Sequence, residues 1–78
     1  MKYIKYSPLN IILFPEHISH REMAEAVEPL IKKPPKSAGY CQIDGQIKVF
    51  GDSQSLGLQP HPDDSKLISE LLRKTYNE

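Results

Sequence analysis

Seventy-eight residues with one cysteine, no tryptophan and 38% apolar content leave room for one small core and exclude an intrachain disulfide framework. Ten basic residues balance ten acidic ones, and a split after Lys36 leaves six basic against four acidic before it and four against six after it. That balance excludes the massed basic surface of a nucleic-acid groove, and the short run Lys32–Lys36 reads as a solvated connector. Nothing approaches a membrane span, and the stretch after Met1–Lys5 lacks the apolar run and cleavage site of a signal peptide. With one cysteine and no export signal, a cytoplasmic location is expected.

Residues 2–6 alternate only weakly. The apolar run Asn10-Ile11-Ile12-Leu13-Phe14, bounded by Pro8 and Pro15, predicts a buried strand. Ser19 and Glu22 then stand at capping-box spacing, with Ile18 and Met23 in the flanking staple positions. Met23, Val27, Leu30 and Ile31 fall on one helical face. Pro29 removes a backbone donor, so the regular helix is expected to end or kink near Val27–Glu28, with Pro29–Ile31 as a further turn.

Asp44-Gly45 between Tyr40–Ile43 and Gln46–Phe50 predicts a two-residue hairpin turn. That register pairs Tyr40 with Val49 and Gln42 with Ile47 on the inner face, and sets Cys41 opposite Lys48. A longer loop groups Cys41, Ile43, Ile47 and Val49 instead. After an aperiodic Gly51–His61 segment, Pro62 opens a second helix. Asp63 and Asp64 occupy its first turn and Arg73 and Lys74 its last, in the order that suits the helix dipole. Leu67, Ile68, Leu71, Leu72 and Tyr76 form its apolar stripe.

Four features invite a chemical reading. Val49-Phe50-Gly51-Asp52-Ser53 resembles the first block of the GDSL/SGNH hydrolases, in which the serine is the nucleophile. The resemblance stops at these five residues: His61 precedes Asp63 instead of following the acid as Asp-x-x-His, and no Gly-x-Asn-Asp block is present. Ser53 therefore reads as a loop serine. His17 and His20 straddle a helix start and do not aim at one point, so no metal site is expected. Cys41, in a strand, reads as a partly buried inert thiol whose one basic neighbour is Lys48. The Gly51–Gly57 loop remains, and with His61 it offers Asp52, Ser53, Ser55 and His61 as candidate binding residues.

The sequence thus predicts a single α+β domain spanning residues 1–78. The expected architecture has two layers in the order β-α-β-β-α, an approximately three-stranded mixed sheet and both helices on one face. No catalytic set and no cofactor are implied. The function expected is a non-catalytic protein-interaction or regulatory module, joined to a protein partner or to itself, with no nucleic-acid or membrane role. The alternative is a small enzyme or ligand-binding domain using the Gly51–Gly57 loop with His61.

Overall fold

The chain opens with an antiparallel pair, β1 (Lys2–Ser7) and β2 (Asn10–Phe14), joined through Pro8-Leu9. Helix α1 (His20–Ile31) leads to the hairpin β3 (Ser37–Asp44) and β4 (Gln46–Phe50), and α2 (Asp64–Tyr76) follows the long connector. The computed structural model describes the backbone of residues 1–76 and side chains through Arg73, so the expected contributions of Lys74 and Tyr76 lie outside the described residues. The strands form one sheet in the order β2-β1-β3-β4, every neighbouring pair antiparallel.

This α+β fold corrects the sequence reading in three respects. There are four described strands, the element order is β-β-α-β-β-α, and the sheet is antiparallel throughout instead of mixed. The strand missed is β1. Its residues Tyr3 to Tyr6 are all buried, because β1 lies inside the sheet and is covered on both faces. Such a strand shows no clean alternation, and Lys5 within it disguises it further.

The helices also lie on opposite faces, giving three layers where two were expected. Strand alternation sends Tyr3, Ile11, Leu13, Cys41, Ile47 and Val49 to one side, where Ile68, Leu67 and Leu71 of α2 pack. It sends Ile4, Tyr6, Ile12, Phe14 and Ala38 to the other, where Met23, Ala24, Val27 and Ile31 of α1 pack. The sheet has two apolar faces, and one helix cannot cover both.

Local signals explain the helix boundaries. Ser19 caps α1 by accepting the Glu22 N–H at 3.0 Å, and its hydroxyl donates to Glu22 Oε1 at 3.2 Å. Ile18 and Met23 join the α1-side core as the staple requires. The expected break at Pro29 does not occur. The helix continues to Ile31 and closes when Lys32, left-handed at φ 57°, donates its N–H to Glu28. Proline fixes a helical φ and here forfeits one bond close to the exposed end, while Val27 and Ile31 hold the turn to the sheet. Helix α2 begins at Asp64, with Pro62-Asp63 in a preceding turn closed by the Asp64 N–H on the His61 carbonyl.

The β3–β4 register is Tyr40↔Phe50, Cys41↔Val49, Gln42↔Lys48 and Ile43↔Ile47, with Asp44↔Gln46 flanking Gly45 at φ 72°. The turn is therefore not the two-residue Asp44-Gly45 turn expected: Gly45 alone separates the paired Asp44 and Gln46, the register shifts by one residue, and Cys41, Ile43, Ile47 and Val49 share the α2 face, as the longer-loop alternative groups them. Packing decides the register: this arrangement puts the β-branched residues under α2 and leaves Gln42, Gln46 and Lys48 outside.

Candidate functional site

The connector candidates do not converge. Ser53 is 2% exposed and pairs through its backbone with Leu58 in both directions, while its hydroxyl accepts the Leu56 N–H at 3.3 Å. His61 is exposed, and its Nδ1 accepts the Asp63 N–H at 3.2 Å. Asp52 is exposed, and Ser55 offers its carbonyl to Arg21 Nη2 at 3.4 Å. No hydrogen bond joins Ser53 to His61, so the serine has no base of the kind that activates a nucleophile. Leu56 and Leu58 fold back into the α1-side core. The Gln59 carbonyl accepts the Ala38 N–H at 3.4 Å, and Pro60 lies so close to Gly39 that a Cβ there would sit 2.8 Å from its ring. The segment is a packed connector across β3.

The strongest polar constellation was not visible in the sequence. Asp64 is fully buried at the start of α2 beneath β1 and β3. Its Oδ2 accepts from Tyr3 Oη at 2.6 Å, Ser37 Oγ at 2.7 Å and the His61 N–H at 2.8 Å, and its Oδ1 meets Lys5 Nζ at 2.7 Å. Burial alone raises a carboxyl pKa, but the Lys5, Tyr3, His61 and Ser37 donors outweigh it and hold Asp64 below its ordinary value. Burial, then the Asp64 hydrogen bond and charge, push the Tyr3 phenol far above its ordinary value. With every donor turned to one anion, the cluster pins α2 to the sheet and leaves no open position for a substrate. Neighbouring Asp63 is 71% exposed. The one sequence signal was Asp64 at a helix start, and it could not choose between adjacent aspartates.

His20, expected as a polar residue at a helix start, is a core residue. Its Nε2 donates to the Gly39 carbonyl at 2.9 Å, and its ring stands edge-on to Phe14 and Tyr40. His17 is exposed and takes no part. No group of three or more metal-capable side chains occurs among the described residues. Cys41 is buried and burial raises its thiol pKa, only partly offset by the chain's N-terminal charge. Val49, not Lys48, is its cross-strand partner, and Lys48 lies on the other face.

One surface is built for contact. The Cys41 N–H donates to the Met1 carbonyl, so the odd residues of β3 bond towards β1 and the even ones towards β4. Tyr40, Gln42 and Asp44 thus bond to Phe50, Lys48 and Gln46. Ile47 and Val49 are left with N–H and C=O groups pointing away from the sheet, with no partner among the described residues. Beyond Cys41 the hairpin also outruns β1, whose pairing ends at Lys2↔Tyr40. Phe50 is 51% exposed and stacked on Tyr40 with centroids 5.7 Å apart, and Ile43 is 48% exposed. Both border a depression of about 370 Å³ that Met1 and Gln42 also line.

Comparison with known protein families, curated proteins and solved structures returned no match. No helix among the described residues is long and apolar enough to cross a membrane.

Proposed function

We propose that the protein is a non-catalytic interaction module whose contact surface is the β3–β4 hairpin. The observation that carries this reading is the open edge of β4: two outward N–H/C=O pairs, at Ile47 and Val49, beside the exposed ring of Phe50. Free edges of this kind accept a further strand, with backbone bonds supplying affinity and alternate side chains specificity. The occupant is a strand from a protein partner or from a second copy. In a symmetric antiparallel pair of β4 strands, the register centred on Lys48 opposes two ammonium groups, which is unfavourable. The register centred on Val49 places Lys48 opposite the partner's Phe50, a cation–aromatic pairing.

The test uses Val49→Pro, which removes an outward donor without touching a β3–β4 bond, together with Phe50→Ser. Sedimentation velocity over a wide concentration range, or capture of a strand-forming peptide, should show association that both variants abolish while far-ultraviolet circular dichroism keeps the native shape. A native chain that stays monomeric and takes up no peptide defeats the reading.

A further inference from the structure

A strand that fits the open edge of β4 has two different sides to match. Ile47 and Val49 point to the α2 side and are half-buried, whereas Gln46, Lys48 and Phe50 point to the opposite side and are exposed. The added strand must therefore be apolar on one side and complement a cation and an aromatic ring on the other. β4 itself meets both conditions. The outward-bonding residues are the odd ones on every copy, so antiparallel pairing of two β4 strands sets odd against odd and even against even. Centred on Val49, the pair places valine against valine on the α2 side. On the other side each Lys48 ammonium meets the partner's Phe50 ring, so the cation–aromatic contact is made twice.

Charge and packing favour a second copy further. The chain carries no net charge, so two copies approach without long-range repulsion, and a core of this size commonly gains stability from a further subunit. Helix α2 packs against β4, and its Leu67, Leu71 and Leu72 are only partly buried against the core. The two-fold axis of an antiparallel strand pair stands perpendicular to the sheet. It carries the second α2 to the same side of the joined sheet and adds apolar surface to the seam. The other sheet edge, β2, is bracketed by Pro8 and Pro15, and pairing it with β4 of the next copy makes a head-to-tail array that does not close.

We infer that the occupant of the β4 edge is β4 of a second copy, paired antiparallel about Val49, so that two four-stranded sheets join into one continuous sheet. This rests on the reading of β4 as the contact edge and adds to it the partner, the register and a closed stoichiometry of two.

Sedimentation of the native chain should show a dimer of the 8.9 kDa protomer and no larger species. Lys48→Gln, altered at an exposed position, should weaken that dimer about tenfold by removing both cation–aromatic contacts. In a register centred on Lys48 the same change relieves a repulsion and tightens the dimer. Under mild oxidation, a mixture of Lys48→Cys and Phe50→Cys chains should cross-link through those two positions, on the face away from the buried Cys41, while neither variant links to itself. Self-linking of Lys48→Cys, tightening by Lys48→Gln or species larger than a dimer overturns this pairing. A native chain that stays monomeric yet captures a strand-forming peptide, and loses it in Val49→Pro, overturns the second copy and leaves the edge reading standing. A monomer that captures nothing ends both.

Discussion

The two faces of the sheet are held by different physics. On the α2 side, a core of Tyr3, Ile11, Cys41 and Ile68 surrounds a buried ion pair, and Asp64 collects donors from β1, β3 and the connector. On the α1 side, Ile4, Tyr6, Phe14 and Ala38 pack against an aliphatic helix face, and the buried imidazole of His20 is satisfied by one backbone carbonyl. The first face depends on an ionised group and the second on volume and shape. A small domain thus secures one helix by directional bonds, which fix where it docks, and the other by packing.

The largest effect expected is from Asp64→Ala, which leaves the Lys5 ammonium buried without its counter-ion. A loss of about 3–5 kcal/mol is predicted in urea unfolding. A Lys5→Met/Asp64→Leu double variant should recover much of that loss, because an apolar pair carries no unpaired charge. On the opposite face, Ile4→Ala should cost about 2–5 kcal/mol, and this cost should not change between pH 7 and pH 3.

Titration sharpens the contrast. The folded-state pKa of Asp64 lies below its ordinary 3.8, so its stabilisation is present at neutral pH and fades as pH falls through that value. Melting-temperature differences between the native chain and Asp64→Asn should accordingly shrink on acidification. Tyr3 behaves oppositely: its pKa is raised above the ordinary 10.0, so its contribution is complete below that pH and is lost above it. If Asp64→Asn and Ile4→Ala respond identically to acid, the division between the faces is wrong. The smallest effect is at the α1 cap, where Ser19→Ala should cost about 1 kcal/mol at any of these pH values.

Several elements were legible in the sequence. Ser19–Glu22 placed the α1 start, Pro8 and Pro15 bracketed β2, and Asp44-Gly45 located the hairpin between β3 and β4. The α2 stripe was also legible, although its first residue is Asp64 and not Pro62. Among the candidate site residues, the connector's Asp52, Ser53, Ser55 and His61 attracted attention because Gly, Asp, Ser and His are frequent in ligand loops. The structure uses Ser53 and His61 for local backbone bonds. The edge of β4 could not be read, because which strand lies outermost depends on the order of the whole sheet.

Periodicity, capping and turn chemistry are properties of neighbouring residues, and they determined by themselves that two helices and a β3–β4 hairpin form and where each lies in the chain, but not the hairpin's register or the end of α1. Only the tertiary structure decided that β1 is an inner strand, that the helices take opposite faces, and that Asp64 is buried while Asp63 is not. A lysine in a weakly alternating segment looks solvated until an aspartate 59 residues later is brought within 2.7 Å of it. Burial of a charge depends on its partner, and no local pattern carries that information.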